Sequence, residues 1–70
     1  MEKLLIYTLS TCPTCNKLKV HLNETGQEYE ERVVDDNQRW LDEARQYGDV
    51  VPIIVHESGL VELGFSNEVG

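Results

Sequence analysis

Basic residues are scarce in this chain. Six lysines and arginines stand against thirteen aspartates and glutamates, a formal net charge of −7 over 70 residues. Nucleic acid and anionic membranes both reward basic patches, so neither is an expected partner. The acidity reads instead as a solvated surface that keeps the molecule soluble. Long apolar runs are missing as well: none approaches the ~20 residues a membrane helix needs. The first residues lack a charged region followed by a long apolar stretch, so no signal peptide is expected and the default location is the cytoplasm, where thiols are kept mostly reduced. Repeats, linkers and low-complexity segments are absent too, and a chain of this length is expected to form one domain, residues 1–70. There are only two prolines and two cysteines, and where they fall carries most of the information.

Both cysteines lie in Ser10-Thr11-Cys12-Pro13-Thr14-Cys15-Asn16, between an apolar run, Leu4 to Tyr7, and a helical pattern that opens at Pro13. A helix start has unpaired N–H groups and the positive end of the macrodipole, so a sulfur placed there is stabilised as the thiolate, the nucleophile of disulfide exchange. Cys12 is the expected attacking residue, held in reach of solvent. Cys15, one turn inside, is the expected resolving residue. A structural disulfide is a poor alternative, because so short a loop restrains the unfolded chain least. A zinc site lacks ligands: there is no second CxxC, and helical geometry turns His21 away from both thiols, leaving only His56. Two unrelated core cysteines fit badly with Pro13 and the helix start between them. No metal and no tightly bound cofactor are expected.

Along the chain, Lys3–Thr8 reads as a strand whose consecutive apolar residues suit burial on both faces. A helix from Pro13 to about Glu24 buries Cys15, Leu18 and Leu22, exposes Lys17 and Lys19, and stops at Gly26. Tyr29–Val34, charged in its first half, reads as an edge strand parallel to the first. Asp35, Asp36 and Asn37 offer a cap for a second helix that runs to about Tyr47, with Trp40, Leu41, Ala44 and Tyr47 on one face and Gly48 as its end. Val50–Val55 reads as another interior strand, with Pro52 near its start. Glu57-Ser58-Gly59 turns into a half-polar strand, Leu60–Leu63. The expected fold is α/β, βαβαββ, a mixed four-stranded sheet of order 2-1-3-4 with strands 3 and 4 antiparallel.

This pattern resembles the glutaredoxin branch of the thioredoxin superfamily over nearly the whole chain. Tyr7-Thr8 followed by Cys12-Pro13-Thr14-Cys15 resembles the family's YT…CPxC segment, and Val51-Pro52 matches the last two positions of its TVP motif. Gly64-Phe65 is similar to the pair that follows the last strand in redoxins serving ribonucleotide reductase. The resemblance implies a thioredoxin-like (glutaredoxin) fold, a cis Val51–Pro52 bond beside the nucleophilic sulfur, and pairing of the Val51 backbone with bound substrate. It also implies a third helix beside the first. Ser66 looks like its N-cap, yet the chain stops at Gly70, so that helix is expected to be absent or truncated, and the sheet around Ile53, Val55 and Leu63 less covered, with an apolar patch or a dimer as the consequence.

The departures bear on partners. Glutathione-using members carry a lysine where this chain has Leu9, and a Gly-Gly pair and an aspartate where it has Gly64-Phe65-Ser66-Asn67. Candidate glutathione contacts reduce to Gln38, Arg39, Gly64 and Phe65; for the first two, a solvated helix face is an equal reading. The expected function is a dithiol–disulfide oxidoreductase acting on protein disulfides. Cys12 and Cys15 are catalytic, Thr11, Pro13 and Thr14 shape the turn, and Val51 and Pro52 bind substrate. Thioredoxin reductase or glutathione, as co-substrate, would recycle the pair. The rival expectation is an iron–sulfur binding module using the first cysteine and glutathione across a dimer.

Overall fold

The computed structural model describes residues 2–65. Its elements are β1 (Leu4–Thr8), α1 (Pro13–Thr25), β2 (Tyr29–Val33), α2 (Gln38–Arg45), β3 (Ile53–Val55) and β4 (Val61–Leu63). The four strands form one sheet of order β2-β1-β3-β4. β1 pairs parallel with β2, with Leu4 opposite Tyr29 and Thr8 opposite Val33. It pairs antiparallel with β3, which in turn pairs antiparallel with β4. The expected architecture and strand order are those observed.

The consecutive apolar residues of β1 are explained by two separate cores. Side chains alternate across a strand, so Leu4 and Ile6 join Leu18 and Leu22 of α1 and Ile54 of β3 on one face. Tyr7 joins Val34, Ala44 and Ile53 on the other, with Leu5, Trp40 and Leu41 packed against them. The sheet is thus sandwiched between the two helices. β2 is an edge strand as its charges suggested, and Arg32 reaches across to Glu43 of α2 at 2.6 Å, where Glu43 also accepts from the Tyr7 hydroxyl.

Each helix ends for an identifiable reason. α1 stops at Gly26, whose φ of 72° is left-handed, while the Gly26 and Gln27 amides return to the Asn23 and Leu22 carbonyls, a Schellman motif. α2 is capped by Asn37, whose side chain accepts from the Arg39 amide at 2.9 Å.

Several expected boundaries shift. α2 closes at Arg45, two residues early, and Gly48 is not a left-handed cap. Its amide instead bonds the Ala44 carbonyl, and a Cβ on Gly48 would lie 3.2 Å from the Leu63 side chain. β3 begins at Ile53, because Val50 and Val51 form the loop that precedes a cis Val51–Pro52 bond. β4 begins at Val61, leaving Leu60 exposed. Lys19, expected in solvent, is half-buried and pairs with Glu31 at 3.0 Å.

The expected gap in sheet coverage is corrected at Ile53, which is fully buried under α2; Leu63 does remain exposed. The proposed Ser66 cap lies outside the described residues. Among those described, no helix is long and apolar enough to cross a membrane.

Because Ile6 is fully buried at the centre of the α1 face, Ile6→Ala is expected to cost about 2–5 kcal/mol through lost transfer energy and a residual cavity. Urea unfolding followed by circular dichroism measures it.

Candidate functional site

β1 delivers the chain to the cysteine turn at the end of the sheet where β2 also finishes. The Val34 amide continues the parallel pairing past β2 by bonding the Thr8 carbonyl at 2.8 Å. Leu9-Ser10-Thr11-Cys12 then forms a turn closed by the Cys12 amide and the Leu9 carbonyl at 3.3 Å. Cys12 is the N-cap of α1, with extended φ and ψ of −95° and 109°, and Pro13 occupies the first helical position. Proline suits that position because its ring fixes φ and its missing N–H was an orphan in any case.

The Cys12 sulfur accepts the Cys15 backbone N–H at 3.1 Å. A sulfur therefore does at this helix what a serine or aspartate oxygen does at others. Both cysteines are free thiols, but their surroundings differ. Cys15 is fully buried and its thiol is pushed up to about 12, first by burial and then by its hydrogen bond to Cys12, while the Leu9 backbone and the Lys19 charge act the other way. Cys12 retains 3 % of its surface against 0 % for Cys15, so of the two only Cys12 meets solvent. The expectation of an open sulfur is corrected here: Cys12 is buried in a cluster with Cys15 and Val51, against which Leu9 packs.

The structure gathers Cys12, Cys15 and Val51 into one cluster. Pro52 is fully buried beside it in sequence, and its carbonyl accepts from the Gly64 amide at 2.8 Å, which ties the residue after β4 to the proline loop. Thr14 is buried, whereas Thr11 and Pro13 are exposed on the turn. A cleft of about 340 Å³ opens next to the cluster, lined by Leu9, Leu41, Val50 and Val51 among others.

The remaining sequence candidates are placed differently. Gln38 and Arg39 lie exposed at the start of α2, and the Gln38 amide donates to Asp42 at 3.0 Å. Phe65 packs on the α1 core, its ring 5.5 Å from that of His21, and is not among the residues that cluster with the cysteines.

Sequence reasoning missed two contacts near the turn. The fully buried Thr8 hydroxyl donates to Glu31 at 2.7 Å. Ser10 bonds the Asp35 carboxylate through both its amide and its hydroxyl. The only signal for the second was a serine two places before the first cysteine and an aspartate two places after the end of β2.

The glutaredoxin family model matches residues 4–59, a span that contains the Cys12–Cys15 turn and the Val51–Pro52 loop. No curated protein matches the chain.

The raised Cys15 thiol sets a pH dependence. The folded chain holds that proton more tightly than the unfolded one, so stability is highest below the ordinary thiol value of 9.0 and falls as pH rises toward about 12. Iodoacetamide near neutral pH is expected to label Cys12 alone in the folded protein and both cysteines in concentrated guanidinium, as read by mass spectrometry. Equal labelling of Cys15 in the folded protein would contradict the asymmetry.

Proposed function

Since the chain belongs to the glutaredoxin family, whose chemistry is thiol–disulfide oxidoreduction, we propose that it reduces protein disulfides through Cys12 and Cys15. The observation that carries the reading is the unequal treatment of two neighbouring thiols. The sulfur of Cys12 receives a helix-start N–H at 3.1 Å and the residue keeps 3 % of its surface exposed, whereas burial keeps Cys15 protonated.

The steps follow from that asymmetry. The Cys12 thiolate attacks one sulfur of a substrate disulfide; the S–S bond breaks, and the departing sulfur leaves as a thiolate that takes a proton from water. The product is a mixed disulfide on Cys12. Cys15 then loses its proton, attacks the Cys12 sulfur and releases the second substrate thiol. Two electrons have passed to the substrate, and Cys12 and Cys15 are joined. Val51, in contact with the pair, offers its backbone to the substrate segment, and Pro52 fixes that loop. Thr11, Pro13 and Thr14 shape the turn between β1 and α1.

For the return electrons we favour a flavoprotein of the thioredoxin reductase type over glutathione. Leu9 occupies the place of a cation and is spent on packing against the Cys12–Cys15–Val51 cluster, and Gln38 is engaged by Asp42. Glutathione is anionic, and a chain of net charge −7 without those contacts attracts it poorly.

Cys12→Ser is expected to abolish reduction of insulin disulfides, and Cys15→Ser to accumulate a mixed disulfide visible on a non-reducing gel; equal retained activity in both variants would refute the assignment of roles. An NADPH-coupled assay with thioredoxin reductase is expected to turn over at least about tenfold faster than one with glutathione and its reductase, each tenfold being worth ~1.4 kcal/mol of barrier.

A further inference from the structure

The loop before Cys12 is held from outside by a residue the redox steps do not use. The Asp35 carboxylate accepts the Ser10 amide at 3.1 Å on one oxygen and the Ser10 hydroxyl on the other. Asp35 is free for this because α2 is capped by Asn37, and because the turn that follows β2, closed by the Asp36 amide and the Val33 carbonyl at 3.0 Å, faces the cysteine turn across the parallel strands. Ser10 is the second residue of the turn that Cys12 closes. Clamping it at two points fixes the turn, and the turn fixes the N-cap geometry in which the Cys12 sulfur receives the Cys15 amide.

We infer that Asp35 is a positioning residue for the redox turn, acting through Ser10 to hold Cys12 at the start of α1. The inference rests on the function proposed above, which it deepens. Both oxygens of the carboxylate are used at once, and hydrogen bonds to an ionised acceptor are stronger than those between neutral groups. The same contact holds the Asp35 carboxyl below its usual range, the Ser10 hydroxyl being the largest cause, so the clamp is ionised at neutral pH. Its charge alone would act in the opposite sense, since an anion near Cys12 opposes a second one. Position and charge are therefore separable by experiment.

The test compares wild type, Asp35→Asn, Ser10→Ala, Ser10→Thr and the Ser10→Ala/Asp35→Asn pair. Two readouts need no protein substrate: the iodoacetamide rate at Cys12 near neutral pH, and the equilibrium of the Cys12–Cys15 pair against dithiothreitol. Asp35→Asn and Ser10→Ala are expected to slow alkylation roughly three- to tenfold, the worth of one hydrogen bond, and to shift the dithiothreitol equilibrium in step. Ser10→Thr keeps hydroxyl and amide and should restore the wild-type rate. The double variant should be no slower than the worse single, as for one shared interaction. Faster alkylation in Asp35→Asn, no change in Ser10→Ala, or additive losses in the pair would each overturn the inference. If Asp35→Asn fails to fold, Ser10→Ala and Ser10→Thr decide alone. Insulin reduction by the wild type, measured in parallel, judges the proposed function separately: its absence would sink that function while the alkylation rates still report on the clamp.

Discussion

A single hydrogen bond organises the functional end of this molecule: the Cys15 amide donating to the Cys12 sulfur at 3.1 Å. It requires a helix that begins at Pro13, a strand that delivers the chain in register, and a turn that leaves Cys12 extended at the cap position. The thiols also differ chemically, burial first and then a side-chain hydrogen bond to Cys12 raising that of Cys15. The capping sulfur is stabilised where negative charge is favoured, while the other is buried a turn deeper. If Cys12 left the cap, the N–H of Cys15 would be unpaired in a buried setting, which costs about 1–3 kcal/mol.

The rest of the fold supplies stiffness with little material. A chain this short has a modest core, and here β1 serves two cores at once by burying residues on both faces. Polar side chains brace the perimeter. Arg32 bridges β2 to Glu43 of α2, Lys19 reaches Glu31, and His56 sits between Glu2 and Glu62 at the end of the sheet opposite the cysteines. Both carboxylates raise the pKa of His56, Glu2 first, and it in turn lowers that of Glu2. Exposed pairs of this kind contribute little individually; their effect is to fix strand ends without enlarging the core.

What was legible in the sequence was mostly local. The apolar run of β1, the Pro13 helix start and the Gly26 stop are decided within a few residues, and the structure has each of them where the sequence placed it. The order of the strands followed from which were apolar on both sides. The reading failed where one pattern serves two structures. Val50 and Val51 look like strand residues because they are apolar, yet Val51 is buried against thiols in a loop. Gly48 looks like a left-handed helix stop, yet its φ is not positive and the Leu63 side chain lies against it. The cis bond came from family resemblance alone. The Ser10–Asp35 clamp joins residues 25 apart in sequence, and a serine before the first cysteine and an aspartate past β2 are too common a pairing to announce it.

Leu9 is the residue on which the proposed choice of reductant turns. Its apolar side chain packs against the Cys12–Cys15–Val51 cluster and lines the neighbouring cleft together with Val50 and Leu41. NMR of the reduced protein tests the capping bond by following backbone amides as pH is raised from neutral. The Cys15 amide is expected to shift more than any amide outside the turn over that range, and the response to vanish in Cys12→Ala. A Cys15 amide that moves no more than that of a distant residue such as Leu60 would contradict it.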